Sequence, residues 1–403
     1  MSFINKLIPT KKVIIIDIGT YKVKVALCEY KNNEINLISY KEKKQDSQNI
    51  IGTEISSIEG ILNTIEDVFS NVLNNLDISV KDIILNIPTS TIISSGKDIN
   101  YKRINDKESI DIKELDYIVS KVENEALIKA KESIFKKTGY LDVDMKLITS
   151  SITDINIDGF IVSNPIGFTG KDVFISVLNI FIPANRYNII TTIGNHLNKN
   201  ILSIIPLEFS LPKILSNTDY QYDDVLFIDI GNSKTSLIVQ KSGVIIGFDK
   251  INLGISDLIK NIKNSSGDTT IEIIKNIDKK DTYLKEKKEF LEVFEEGFIL
   301  SLKEILKSSL VPHKVFISGG GDNEFVRAFI KNINLTKYTL HSLKPLDFIK
   351  IDFNEIKING DKSIFNKTNL GILSMMIATK EIISYKNNPL ISLVKSFIEK
   401  NEL

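Results

Sequence analysis

Two stretches, Val13-Ile-Ile-Ile-Asp17-Ile-Gly-Thr20 and Val225-Leu-Phe-Ile-Asp229-Ile-Gly231, decide the fold of this chain. Each is a short apolar run, typical of a buried strand, that enters an Asp-Ile-Gly turn. A second strand follows each turn, at Val23 to Leu27 and at Thr235 to Gln240, which predicts two hairpins. Because the same pattern recurs roughly 210 residues later, we expect two homologous α/β halves.

The overall composition excludes several classes of protein. The chain has 403 residues, with 51 Lys+Arg against 51 Asp+Glu and a hydrophobic fraction of 42 %. These values predict a globular protein, and the balanced charge argues against a general nucleic-acid binder, which would carry a basic excess. One cysteine, Cys28, and three histidines are too few for a zinc site or a disulfide framework. We also expect no membrane span, since no apolar run is long enough.

The pattern of polar and apolar residues between and after the two repeats predicts how the chain divides into units. The first insertion-like block begins with a polar stretch, Ser94 to Asp111, followed by an amphipathic helix, Ile112 to Lys136. Long helices are expected around Glu272 and from Asp281 to Ser309. The predicted units are a first lobe at 1–88 and 183–223, an insertion at 89–182, a second lobe at 224–257 and 300–388, a reduced subdomain at 258–299, and an amphipathic tail at 389–403.

The two Asp-Ile-Gly turns predict a phosphate clamp. Glycine lets the backbone approach a phosphate, and turn amides and hydroxyl groups can donate to its oxygens. Asp17 and Asp229 end their strands and could hold a hydrated Mg²⁺. Lys234 could reach a phosphate or point to solvent. The residues assigned to phosphate binding are Asp17, Gly19, Thr20, Lys22, Asp229, Gly231, Asn232, Ser233, Lys234 and Thr235.

A third glycine turn, Gly319-Gly320-Gly321, follows the apolar strand Lys314 to Ser318 and precedes a helix. Such a turn lets adenine and phosphate pack against the backbone. It also suits a tight connection between a strand and a helix, and both interpretations can hold together.

The order of the three turns resembles that of the actin/sugar-kinase/heat-shock-chaperone superfamily. Within it, the chain is most similar to FtsA, the actin-like bacterial cell-division family. Asn164-Pro-Ile-Gly-Phe-Thr-Gly170 resembles the N-P-[VI]-G-x-[ST]-G loop of the FtsA 1C subdomain. Glu272-Ile-Ile-Lys275 is similar to the E-x-x-K element with which several superfamily members contact ribose and base.

This resemblance implies a fold and a function. The fold is α/β, an actin-like two-lobed ATPase fold of duplicated ribonuclease-H-like domains with an FtsA-type 1C insertion. The implied cofactors are ATP and Mg²⁺, bound between the lobes, with any ATPase activity weak. The implied role is to polymerise on the cytoplasmic face of the cell membrane and anchor FtsZ filaments there. The implied partners are the FtsZ C-terminal peptide, other copies of the chain, other division proteins and membrane lipid.

The second turn departs from the FtsA pattern. FtsA shows D-I-G-G-G-T-T where this chain has Asp229-Ile-Gly-Asn-Ser-Lys-Thr235. Asn232 and Ser233 therefore carry side chains into a crowded site, which puts tight ATP binding in doubt. A general base is hard to assign: Glu208 follows a strand of the first half and is the candidate, although a salt-bridged glutamate suits its position as well.

The C-terminal tail, Pro389 to Lys400, has one apolar face and one polar face when drawn as a helix. A single short helix binds a membrane weakly, but many tails along a filament would bind by avidity. Docking of the same face on the protein body is the alternative. The apolar face consists of Leu390, Leu393, Val394, Phe397 and Ile398.

Two other functions stay open on the sequence alone. PilM, the actin-fold platform protein of type IV pilus or secretion assembly, shares a 1C-type insertion and tolerates non-glycine residues in its second phosphate turn. A sugar or acetate kinase shares the superfamily fold, but no clear catalytic base or polar substrate loop supports it here.

Overall fold

A computed structural model describes residues 10–384 of the chain, except residues 75, 77, 89, 90, 141, 142, 163, 280, 308 and 309. The predicted membrane tail at 389–403 lies outside this range. Among the described helices, none combines the length and the apolar character needed to cross a membrane.

The first lobe begins with a hairpin that is extended by a third strand. The apolar face of its helix α1 follows the helical period, and the Ser57 side chain accepts a hydrogen bond from Gly60 N at the helix start. The elements in order are β1 (Lys11–Ile18), β2 (Lys22–Lys31), β3 (Glu34–Lys44), β4 (Ile50–Ile51), β5 (Glu54–Ile55), α1 (Ile58–Leu73) and β6 (Asp82–Asn86).

The insertion is a four-stranded sheet with one long helix against it. Its strand order is β7-β10-β8-β9. The first half of the polar stretch Ser94 to Asp111 belongs to strand β7. The sequence did not indicate this strand, because its apolar residues alternate only weakly. The elements are β7 (Ile93–Lys102), α2 (Ile112–Thr138), β8 (Met145–Ile157), β9 (Phe160–Ile161) and β10 (Asp172–Pro183).

The chain then returns to the first lobe through α3 (Ala184–His196), β11 (Asn200–Ile204), the short helix α4 (Leu207–Ser210) and the 3-10 turn Leu211–Leu215. Strands β6 and β11 complete the first sheet in the order β11-β6-β1-β2-β3. β1 pairs antiparallel with β2 and parallel with β6. The carboxyl ends of β1 and β6 therefore meet at one edge of the sheet.

The second lobe repeats this plan with a sheet in the order β14-β13-β12-β15-β16. β12 pairs antiparallel with β13 and parallel with β15, as β1 does with β2 and β6. The elements are β12 (Val225–Ile230), β13 (Thr235–Lys241), β14 (Val244–Ile251), α5 (Ile255–Ser266), α6 (Thr270–Asn276), α7 (Leu284–Leu306), β15 (Lys314–Ser318), α8 (Glu324–Asn332) and β16 (Asp347–Phe348). The last helix, α9 (Leu370–Ser384), returns to the first lobe and packs against β1 and α4.

The segment 258–299, predicted as a reduced subdomain, has only helices among its described regular elements. The helix at Glu272 is shorter than predicted: α6 spans only Thr270–Asn276. α7 carries three phenylalanines, Phe290, Phe294 and Phe298, at a spacing of four, and all are buried. This spacing places them on one face of the helix, where they pack into the core of the second lobe.

Apolar packing joins the two lobes. The core cluster of the first lobe contains the buried strands β1 and β6 and much of α9, and it extends to Phe227, Ile238 and Phe316 of the second lobe. A separate cluster lies between the other face of the second sheet and helices α5, α7 and α8. The two lobes thus have duplicated sheets with a shared apolar contact.

Candidate functional site

The two Asp-Ile-Gly turns have the same backbone geometry. Gly19 N donates to Lys22 O at 2.9 Å, and Gly231 N donates to Lys234 O at 2.8 Å. The residue before each glycine is the last to pair across its hairpin, as Ile18 with Val23 and Ile230 with Thr235. The duplication predicted from the sequence therefore extends to individual hydrogen bonds.

The strand-end aspartates occupy equivalent places in the two lobes. Asn86 Nδ2 donates to Asp17 Oδ1 at 3.0 Å, and Ser318 Oγ donates to Asp229 Oδ1 at 2.7 Å. Each partner is the last residue of the parallel neighbouring strand.

The two aspartates are close enough to sense each other's charge. Burial raises the pKa of Asp229, and the carboxylate of Asp17 adds to this rise. Two carboxylates near each other fit the ligands of a hydrated Mg²⁺, which needs only one or two from the protein. Sequence reasoning missed Asn86 and Ser318, although their strand-end positions were a usable signal.

Glu208 lies at the first turn of α4, is 1 % exposed, and faces the second lobe. Its Oε1 atom accepts hydrogen bonds from Lys234 Nζ at 2.9 Å and Ser236 Oγ at 2.8 Å. Lys250 Nζ is 3.5 Å from the same oxygen. Burial alone would raise the pKa of Glu208, but the two ammonium groups outweigh it and hold that pKa well below its usual range.

The side chain of Lys234 thus points into the cleft and not to solvent. It bridges to the glutamate that the sequence suggested as a general base. Lys250 and Ser236, which complete the cluster, were not predicted from the sequence. Ser236 lies opposite Asp229 across the hairpin.

The backbone of the second turn is covered by the start of α5. Ile255 N donates to Gly231 O at 3.0 Å, and Ser256 N donates to Asn232 O at 2.9 Å. A Cβ atom on Gly254 would lie 2.2 Å from the Asn232 carbonyl oxygen, so only glycine fits there. The amides at the start of α5 therefore bind the turn itself.

The side chains predicted to donate to phosphate make different hydrogen bonds in the structure. Thr235 is buried and its hydroxyl donates to Leu253 O at 2.8 Å. Asn232 Nδ2 donates to Ser233 Oγ at 3.2 Å. Lys22 pairs with Glu42 on the surface of the first lobe, and Thr20 is half-buried at its turn. Their roles in phosphate binding stay predictions.

The triple glycine packs against the second turn. Gly319 has φ +90, and Gly321 N donates to Ile230 O at 2.9 Å. A Cβ atom would lie 2.3 Å from Ile230 O at Gly319 and 2.2 Å from Ile230 Cγ2 at Gly321. A Cβ atom on Gly320 would meet no described atom within 4 Å. The tight connection explains two of the glycines, while the side of Gly320 is open. The role of this turn in adenosine binding stays a prediction.

The predicted ribose-binding pair lies on α6, away from these turns in sequence. Glu272 N donates to Thr269 Oγ1 at 3.3 Å and Thr269 N donates to Glu272 Oε2 at 2.8 Å, which together form a capping box. Glu272 Oε2 therefore accepts from Thr269 N and also from Thr269 Oγ1, at 2.7 Å. These bonds lower the pKa of Glu272. Lys275 is exposed. The assignment of both residues to adenosine binding stays a prediction.

The start of α9 lies beside the first turn. A Cβ atom on Gly371 would be 3.6 Å from Asp17 Oδ2. Nearby, Lys24 donates to the carbonyl of Thr368, and Tyr40 Oη donates to Asn369 Oδ1 at 3.2 Å. The segment before α9 therefore borders the cleft, which the sequence did not indicate.

The loop that resembles the FtsA 1C loop forms one end of the insertion. Asn164 Oδ1 accepts from Ile166 N at 3.1 Å, and Ile110 N donates to Phe168 O at 2.8 Å. Phe168 is 51 % exposed, and Phe160 and Ile161 on the edge strand β9 are 75 % and 79 % exposed. This end of the insertion presents several large apolar side chains to solvent.

Comparison with solved structures identifies the fold. The chain is similar to the protein of a PilM–PilN type IV pilus biogenesis complex, with a TM-score of 0.57 and 12 % identity over 94 % of this chain and 99 % of that chain. It is also similar to the ethanolamine utilization protein EutJ from Carboxydothermus hydrogenoformans, with a TM-score of 0.43 and 11 % identity over 92 % of this chain and 89 % of that chain. No family model and no curated protein matches the sequence.

A third similar structure is the Aquifex aeolicus Ppx/GppA phosphatase in its type II variant. Its TM-score is 0.36 and its identity 12 %, over 93 % of this chain and 92 % of that chain. The TM-score of 0.57 with the PilM–PilN structure and the two sheets of equivalent strand order show the actin-like two-lobed ATPase fold, as the sequence predicted.

Proposed function

We propose that the chain is an actin-fold platform protein, which holds a protein partner in a larger assembly and does not turn over a small substrate. The state of Glu208 carries this proposal. A general base works best when its pKa is near the operating pH. Glu208 is held ionised by Lys234 and Lys250, with its pKa well below the usual range. This argues against a sugar or acetate kinase that would use Glu208 as its base.

Among platform proteins, we favour the PilM kind. The similarity to the PilM–PilN complex spans nearly the whole of both chains. The substituted second turn, with Asn232 and Ser233 in place of glycines, also suits PilM, whose turn tolerates such residues. We therefore propose a partner of the PilN kind, bound in type IV pilus or secretion assembly.

We further propose that the cleft binds ATP with Mg²⁺. Asp17 and Asp229 would hold the hydrated ion, the amides of the two turns would face the phosphates, and the open side of Gly320 would face the adenosine. The ion would neutralise phosphate charge when bound. The nucleotide would bias the relative position of the lobes and so control assembly.

A ligand titration tests the nucleotide proposal. A ligand that binds only the folded state raises stability by RT ln(1 + [L]/Kd), so ATP with Mg²⁺ at about ten times Kd should add about 1.4 kcal/mol. We expect this thermal shift to vanish in Asp17→Ala and to persist in the control Asp281→Ala, since Asp281 is exposed on the second lobe. A wild-type protein that shows no shift at millimolar ATP would overturn the cofactor proposal.

A second candidate function is that of FtsA. The loop Asn164 to Gly170 favours it, because Phe168 is exposed at the end of the insertion and available to a partner. The FtsA candidate would be cytoplasmic, peripheral on the inner face of the membrane, self-assembling into filaments and bound to FtsZ.

Partner binding separates the two candidates. Binding of the purified chain to an FtsZ C-terminal peptide, and release from liposomes when residues 389–403 are deleted, would support the FtsA role. Binding to a PilN-type protein from the same genome, with no response to the FtsZ peptide, would support the PilM role. The neighbouring genes give an independent check. Pilus-assembly genes next to this one would support the PilM role, and division genes would support the FtsA role.

A further inference from the structure

A buried polar cluster joins the two lobes across the cleft. Glu208 belongs to the first lobe, at α4, whereas Lys234, Ser236 and Lys250 all belong to the β12–β14 hairpins of the second lobe. The side chains are 1 %, 14 % and 4 % exposed for Glu208, Lys234 and Lys250. The contact is therefore shielded from water and spans the boundary between lobes.

All of the contacts converge on one carboxylate oxygen. Oε1 of Glu208 accepts from Lys234 and Ser236 and faces Lys250, while Oε2 is buried and has no hydrogen-bond partner among the described residues. A buried carboxylate without such cations would be strongly unfavourable. Glu208 therefore depends on the second lobe for its charge compensation, and nothing in its own lobe replaces it among the described contacts.

The first lobe shows what the same turn does without this contact. Lys22 occupies the position of Lys234, but it pairs with Glu42 of its own sheet, and the two side chains are 36 % and 31 % exposed. Two residues further on, Lys24 occupies the position of Ser236 and donates to the Thr368 carbonyl. A lysine at this turn position is thus compatible with the turn whether or not it crosses between lobes.

We infer that Glu208, Lys234, Ser236 and Lys250 form an interlobe latch, which holds the two lobes together across the cleft. Lys234 is the movable member, because it has a flexible stem and lies on the phosphate turn itself. Separation of the lobes requires Lys234 and Lys250 to leave Glu208 together. The inference rests only on contacts within the protein, so it does not depend on whether the cleft binds ATP.

A distance measurement between the lobes tests the latch. Cys28 is the single cysteine and is buried, so cysteines at Ser70 on α1 and Glu296 on α7, both exposed, can be spin-labelled selectively. We expect one narrow distance distribution in the labelled chain. Glu208→Gln and Lys234→Gln should each add a second population at longer distance, and the double variant should resemble either single variant.

Lys22→Gln is the matched control, since its ion pair lies within the first lobe, and it should leave the distribution unchanged. The apolar contact at Phe227, Ile238 and Phe316 keeps the lobes connected, so the variants are expected to fold, which circular dichroism checks. Unchanged distributions in both folded latch variants would overturn the inference, as would equal broadening in Lys22→Gln. If Glu208→Gln fails to fold, Lys234→Gln alone decides.

Discussion

The two phosphate turns share one backbone and differ in what their lysines contact. Asp17-Ile-Gly-Thr-Tyr-Lys22 and Asp229-Ile-Gly-Asn-Ser-Lys234 close with equivalent hydrogen bonds. Lys22 lies on the surface beside Glu42, whereas Lys234 enters the cleft and meets the buried Glu208. The duplication thus preserves the backbone of the turn. The contacts of the lysine that ends the turn differ, and these contacts decide whether a lobe can move independently.

The surroundings of the two turns also differ, and again the second turn makes more contacts. The second turn is covered by the start of α5, with Gly254 in direct contact with the Asn232 carbonyl. The first turn has a lighter support, where Gln45 N donates to Tyr21 O at 2.8 Å. The second turn is therefore the more constrained of the two, and substitutions around it should cost more stability.

The largest loss of stability is expected at Gly254. In Gly254→Ala the new Cβ would lie 2.2 Å from the Asn232 carbonyl oxygen, which is backbone and cannot move aside without shifting the turn. We expect a loss of about 3 kcal/mol in the free energy of unfolding, measured by urea titration. Gly320→Ala is the control, because its Cβ meets no described atom within 4 Å, and it should change stability by less than about 0.5 kcal/mol. Equal losses in both variants would contradict the packing argument.

Much of this fold could be predicted from the sequence, because its signals are local. The apolar strands Val13 to Asp17 and Val225 to Asp229 and the glycine turns after them depend on nearby residues alone. Strand β7 could not be predicted, because Ser94, Ser95 and Gly96 lack a strand pattern and are held by pairing with β10. The contact between Glu208 and Lys234 joins residues 26 positions apart from different lobes, and no spacing rule indicates it.

An effect of similar size concerns acid stability. The folded-state pKa of Glu208 is lowered, so its contribution to stability is present above the ordinary value of 4.5 and is lost as the pH falls below it. We expect Glu208→Gln to lose about 3 kcal/mol at pH 7, with the gap to wild type narrowing towards pH 3. The equivalent change at the first turn, Glu42→Gln, should cost less than about 1 kcal/mol, because that pair is partly exposed. A gap for Glu208→Gln that does not depend on pH would exclude the charge as the cause.

The last effect involves a buried glutamate, Glu123 on α2, which has no cation beside it among the residues that the structure describes. It is 1 % exposed, and neither carboxylate oxygen has a hydrogen-bond partner among the described residues. Ser150, beside it, already donates its hydroxyl proton to Asn179 Oδ1 at 2.7 Å. Burial raises the pKa of Glu123 to about 8. The contrast with Glu208 indicates that Lys234 and Lys250, and not burial, keep Glu208 ionised.

A glutamate with a raised folded-state pKa releases its proton more easily when the chain unfolds. Wild-type stability should therefore fall as the pH rises from about 4.5, where the unfolded group titrates, to about 8. Glu123→Gln keeps the shape and stays neutral, so we expect it to be about 4 kcal/mol more stable than wild type at pH 8 and about 1 kcal/mol more stable at pH 5. Chemical denaturation at the two pH values measures this difference. A variant that is less stable at both would show that Glu123 has a charge partner, and Glu208 would then no longer be distinguished by its lysines.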